Sequence, residues 1–129
     1  MDLKNQDSGD TFLEMVRFTI DEAPIAVFWM NREAGFSYVN EEACRSLGYT
    51  RDELMALRLP DIDPIYPMEK WKRIWEKSKS DGEIDVFHIE SVHRRKDGSP
   101  FPVEIDATPY WFGETEFHVA FVRDNTDRK

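Results

Sequence analysis

The sequence predicts an α+β domain: a five-stranded antiparallel sheet with its helices gathered on one face. Three observations predict it. The last third of the chain carries three alternating apolar segments, Val86–Arg95, Pro100–Trp111 and Glu116–Arg123, joined at Lys96-Asp97-Gly98 and at Gly113. Asp-Gly between alternating residues is a strong hairpin signal, because such a turn needs positive φ and Gly supplies it without a steric penalty. A shorter strand pair, Ile25–Met30 and Phe36–Val39, precedes them, broken by Asn31 to Gly35. Between the two sets lie only helical signals, so strands do not alternate singly with helices as a parallel sheet requires.

Taken in order, residues 1–9 are polar and are expected to be loose. Thr11 and Glu14 read as a capping box opening a helix whose stripe is Phe12, Met15, Val16, Ile20 and Ala23, with Pro24 ending it. After the first strand pair, Asn40 is placed to cap a short helix through Leu47, which Gly48 closes. Thr50 and Glu53 form another capping box, ahead of Leu54, Met55 and Leu57. LPDIDPIYP holds three prolines and reads as an irregular connector. A longer helix from Pro67 carries Trp71, Ile74, Trp75 and Ser78 on one face, and Asp81-Gly82 stops it.

With 129 residues, 40% hydrophobic and 13% aromatic, the chain supports one packed core. The net charge of −9 opposes binding to nucleic acid or anionic lipid, and Arg94-Arg95-Lys96 is a small basic footprint at a hairpin tip. No apolar run is long enough to span a bilayer and no segment reads as a signal peptide. Cys44 stands alone, which excludes an internal disulfide. A cytoplasmic protein is the expectation. The charged end Arg123–Lys129, following directly on a strand, reads as the edge of a module excised from a longer protein.

Strand period orients the side chains. Phe87, Ile89, Ser91 and His93 share one face, and Phe101, Val103, Ile105 and Ala107 share one face of the next strand; both sets are expected to point toward the helices. The last strand is apolar on both sides, so period alone does not orient it. The space between sheet and helices can hold a ligand, and Phe28, Met30, Trp71, Trp75, Phe87, Ile89, Ser91, His93 and Val103 are the candidates to line it. His88 and His93 fall on opposite faces and one cysteine is available, so no metal site is expected. Glu104 and Asp106 face outward, and Asp61 and Asp63 read as capping or turn residues. No phosphate loop, nucleophile elbow or Ser/His/Asp order is present. A cup-shaped α+β isomerase or hydratase would depend on His93 or His118 as its inward acid or base.

The segments AVFWMNREAGFSYVNEEACRSLGYTRDEL, DIDP, HRRKDGSPFPVEI and FVRDNTDRK, in this order and spacing, resemble a PAS domain with its C-terminal PAC segment, over about residues 12–129. That resemblance implies strand order 2-1-5-4-3, with 1–9 a flexible tail, 10–23 a flanking helix and 24–129 the sensory domain. It also implies sensing or relay without turnover in a bacterial signalling protein of the histidine kinase or diguanylate cyclase type. His118, Ala120 and Val122 are then placed inward, joining the ligand-lining set. Asp124 and Thr126 match the family's Asp-x-Thr junction to a C-terminal output domain, with Asn125 where an apolar residue is more usual. The outer residues Phe117, Val119 and Phe121 would be exposed. They are covered by Phe12, Val16 and Ile20 of the first helix, or form with them a homodimer interface, as PAS modules often do.

Among family cofactors, haem is disfavoured because residues 67–80 hold no axial histidine. A covalent flavin photoadduct is disfavoured because Cys44 sits in EEACRSLGY rather than in an Asn-Cys-Arg motif. Non-covalent flavin, flanked by Trp29, Trp71 and Trp75, and a small metabolite stay open. So does a ligand-free dimerisation module.

Overall fold

The structure, a computed structural model, describes residues 6–65, 68–81 and 87–126. Helix α1 (Gln6–Asp21) begins five residues before the capping box expected at Thr11, so the tail expected over 1–9 is helical from Gln6 onward. Extending a helix adds a hydrogen bond per residue without a new nucleus, which lets a polar segment prolong the helix toward its N-terminus. Residues 1–5 lie outside the described residues. Strands β1 (Ala26–Met30) and β2 (Phe36–Val39) form the first hairpin. Its loop places Ala34 at φ 65, a left-handed conformation seldom taken by a residue with a Cβ. The Asn31 side chain holds it, with Oδ1 accepting from Glu33 N–H (3.0 Å) and Gly35 N–H (2.9 Å).

Helix α2 (Glu41–Leu47) is capped as its sequence dictates, Asn40 Oδ1 accepting from Ala43 N–H and Gly48 closing it at φ 81. Helix α3 (Arg51–Met55) has both halves of the Thr50–Glu53 capping box. The proline-rich connector is more ordered than expected. Leu59–Ile62 form one helical turn, α4, with Pro60 in its first turn, where its missing N–H leaves nothing unsatisfied. Asp61 accepts from Arg58 N–H (2.8 Å), and Leu59 N–H donates to Ala34 C=O (2.9 Å), tying α4 to the first hairpin. Helix α5 (Met68–Asp81) follows, then β3 (Phe87–Arg94), β4 (Pro100–Phe112) and β5 (Thr115–Asp124).

The sheet is antiparallel throughout, in the order β2-β1-β5-β4-β3. At the β3–β4 turn Gly98 N–H donates to Arg95 C=O (2.8 Å) and Gly98 sits at φ 92. The left-handed residue thus comes after the turn, and Asp97 keeps negative φ. The core lies between the sheet's inner face and helices α2 to α5. It is built from Phe28, Val39, Leu47, Leu54, Ile62, Trp71, Val103 and Ile105, each at most 5% exposed. Alternation along β4 places Phe101, Val103 and Ile105 in this core and turns Pro102 and Glu104 away.

Helix α1 does not cover the opposite face. Phe12 is 46% exposed and Val16 40%, while Leu13 and Phe18 are more exposed still. Among the described residues its tethers lie at its end: Tyr38 Oη (2.5 Å) and Arg51 (3.0 Å) both donate to Asp21 Oδ1, and Asn40 Nδ2 donates to Ile20 C=O (2.9 Å). Burial and the hydrogen bond to Asp21 push the Tyr38 hydroxyl pKa up.

Candidate functional site

Between the inner face of the sheet and helices α4 and α5 lies a cavity of about 450 Å³, a size that holds a small organic ligand. Its walls come from six elements, β4 among them through Ile105 and Ala107. Strand β1 contributes Phe28 and Met30, β3 contributes Ile89 and His93, and β5 contributes His118, Ala120 and Val122; α4 and α5 close it with Ile62 and Trp71. The Trp71 indole N–H donates to Arg32 C=O (2.9 Å), which fixes the ring as a wall. Cys44 is buried in α2 and does not line the cavity; burial pushes its thiol pKa up, away from reactivity.

Two residues of the expected pocket lie elsewhere. Val103 is fully buried in the core but off the cavity, and Ser91 is turned onto Asp63. The two are cross-strand partners on β3 and β4, where the Asp63 side chain comes down onto Ser91. The side chains of Trp75 and Phe87, also expected in the pocket, lie outside the described residues. Trp29 does not face the cavity. It packs on the outer face against Tyr38 (5.1 Å between centroids) and Phe117 (5.4 Å), so it flanks no ligand there.

The cavity also has lining residues outside the expected set. Ile105 and Ala107 were inward by alternation yet not chosen, and Leu59, Asp63, Lys70 and Arg73 come from the connector and from the flank of α5. Asp63 is the most consequential. Its side chain is 1% exposed and accepts from Ser91 Oγ at 2.8 and 2.9 Å, and His93 Nε2 lies 3.1 Å from Oδ2 without hydrogen-bond alignment. The expected turn role holds as well, since Oδ1 accepts from Ile65 N–H (3.0 Å). The available signal was its place in DIDP. What the spacing could not show is that β3 brings a serine and a histidine to it from 28 and 30 residues away.

The Ser91 hydroxyl donates its hydrogen bond to the Asp63 carboxylate and not to an imidazole, so the trio is not arranged as a Ser–His–Asp relay. Across the cavity, His118 is fully buried, with its ring 5.1 Å from that of Trp71 and its Nε2 3.7 Å from Glu116. Burial pushes its pKa down to about 4, so the imidazole is neutral at physiological pH and offers one donor and one acceptor. Among the described residues, no group of three His, Cys, Asp or Glu is placed to hold a metal.

Strand β5 leads from the cavity wall to the exit. Thr126 donates to Asp124 Oδ1 through both its N–H (2.9 Å) and its hydroxyl, and the hydroxyl bond holds the Asp124 carboxyl pKa below its ordinary value. Asn125 N–H donates to Pro102 C=O (2.8 Å), pinning the exit to β4. On the outer face Phe121 is 38% exposed and Phe117 half-buried, but Val119 is only 7% exposed. The expectation that all three are exposed fails at Val119 because its cross-strand neighbours, Trp29 and Thr108, flank it on the same face.

The PAS domain family profile matches residues 24–127. The chain is 27% identical over 113 residues, 81% of its length, to a nitrogen fixation regulatory protein of Klebsiella oxytoca, and spans 21% of that protein. Among solved structures it is similar to a PAS domain from a two-component sensor histidine kinase (27% identity, TM-score 0.77, 90% of this chain and 98% of that one). The PAS domain of an HTR-like protein from Haloarcula marismortui shares its fold at 18% identity (TM-score 0.80, 92% and 96% covered). With the sheet order and the matched residues in agreement, the chain belongs to the PAS domain family.

Proposed function

We propose that this domain senses a small molecule held between the sheet and α5 and relays its presence through β5 to an output domain of a larger bacterial signalling protein. The observation that carries this reading is the shared wall. Ala120 and Val122 line the cavity on the strand that ends at Asp124, so a ligand pressing on them acts on the exit itself. The names of the similar proteins, a sensor histidine kinase and a nitrogen fixation regulator, support a signalling role; the cytoplasmic location and a histidine kinase or diguanylate cyclase output are part of the proposal itself. Haem stays disfavoured, since α5 carries no histidine, and a photoadduct has no cysteine in the cavity wall. Non-covalent flavin would have Trp71 as a wall.

Dimerisation is the second component, favoured by the apolar residues that α1 leaves in solvent and by the exposed Phe121 and Phe112 (81% exposed) on the sheet. Native mass spectrometry of freshly purified protein tests both parts, because ligand and stoichiometry appear in one spectrum. The expected result is a dimer carrying an additional small-molecule mass. An empty dimer would leave a ligand-free dimerisation module. Turnover abolished by His93→Ala or His118→Ala would instead establish an enzyme.

A further inference from the structure

Among the described residues that line the cavity, Lys70 and Arg73 are the exposed ones, and they mark its opening. Both are cations, in a chain whose acids outnumber its bases by 26 to 17. They stand three apart on α5 and so share a helix face, close enough for both to reach one anionic group. Lys70 falls in the first turn of the helix, where the backbone dipole also favours negative charge.

The interior has the opposite preference. Met30, Ile89, Ile105, Ala107, Ala120 and Val122 give it apolar walls. The buried charge on the lining is Asp63, a carboxylate already engaged by Ser91, and an anion beside it would meet repulsion at low dielectric. His118 supplies no compensating positive charge, since burial keeps it neutral. A negative group is therefore excluded from the depth and welcomed at the entrance, and an apolar body is welcomed in the depth.

Accepting that the cavity is the ligand site, we propose that its ligand class is an amphipathic carboxylate, with the apolar body against the sheet and the carboxylate between Lys70 and Arg73. Arg73 can meet a carboxylate with two parallel N–H bonds, and Lys70 adds a point charge. A cationic amphiphile is repelled at the opening, and a neutral one of equal length gains nothing there.

The test titrates decanoate, decanol and decylamine, each below its micellar concentration, into the intact domain, read by tryptophan fluorescence and calorimetry. Decanoate is expected to bind about tenfold more tightly than decanol, with decylamine weakest. Raising salt to about 0.5 M should narrow the gap, because the partly exposed charges are screened. The double variant Lys70→Glu/Arg73→Glu should erase the decanoate advantage and leave decanol affinity in place. Ala120→Trp, or the milder Ala107→Leu, should weaken decanoate and decanol together by filling the cavity.

If decanol matches or exceeds decanoate, the carboxylate class is wrong while the cavity remains a ligand site. Decanoate binding that ignores both cavity-filling variants places it elsewhere and overturns the proposal. If none of the three binds, a co-purified anionic amphiphile in the native mass spectrum supports the class and a neutral or cationic one overturns it. An empty spectrum then removes the ligand-sensing reading as well.

Discussion

Asn40 shows how much one side chain can hold. It is fully buried, and all four of its hydrogen-bonding positions are used: Oδ1 accepts from Val27 N–H (2.9 Å) and Ala43 N–H (3.1 Å), and Nδ2 donates to Ile20 and Ile25 C=O (2.9 Å each). It caps α2, anchors β1 and ties down the end of α1 at once. Asn40→Ala would strand four backbone groups, and each unsatisfied buried group costs about 1–3 kcal/mol where water does not reach it. Part of that set lies near the surface, so the expected loss in unfolding free energy is about 3 kcal/mol, measured by urea denaturation. A loss under about 1 kcal/mol would show that water replaces the amide and that the three elements are not held through it.

Among the elements, the β3–β4 hairpin and α1 behave in opposite ways. The hairpin is locally specified. Gly98 at φ 92 follows a turn closed by its own N–H, and an added Cβ would meet nothing within 4 Å, so Gly98→Ala tests conformation alone. The expected destabilisation is about 1–2 kcal/mol, with Gly98→Asn losing less because Asn tolerates the left-handed region. Equal stability of the alanine variant in chemical denaturation would show that the turn relaxes to another type. Helix α1 has a strong local pattern, but among the described residues it is attached through its last turn, at Asp21 and Ile20. Periodicity reports that a helix has an apolar face and does not report what that face meets.

At the scale of the whole molecule, closing the helices over the sheet creates an environment that no element has alone. His118 lies on β5 and Trp71 on α5, and only their approach removes the imidazole from water. Its pKa falls from an ordinary 6.5 to about 4 through burial. Above pH 6.5 the folded and unfolded states both hold it neutral and stability is complete. Below that the unfolded chain takes up the proton first, so stability falls with pH and levels off near pH 4. The loss is on the order of 3 kcal/mol over that window, and His118→Gln should flatten it in urea denaturation followed against pH. The exposed His88, whose pKa the Asp106 hydrogen bond raises, acts in the opposite direction, and an unchanged slope in the His118 variant would sink the assignment.

By itself the sequence determined whatever is settled within a few residues. It specified the caps at Asn40 and Thr50, the turn at Gly98, the boundaries of the three C-terminal strands within a residue or two, and, through alternation, which side chains of β3 and β4 face inward. These depend on backbone conformation and side-chain period, which neighbours in the chain dictate. The family resemblance added the strand order and the orientation of β5, on which period was silent. Only the tertiary structure decided that Asp63 meets Ser91 and His93, that Val103 is core and not cavity, and that Lys70 and Arg73 stand at the opening. Each of those follows from where two distant elements come to rest against each other, a matter of packing that leaves no periodic trace in either one.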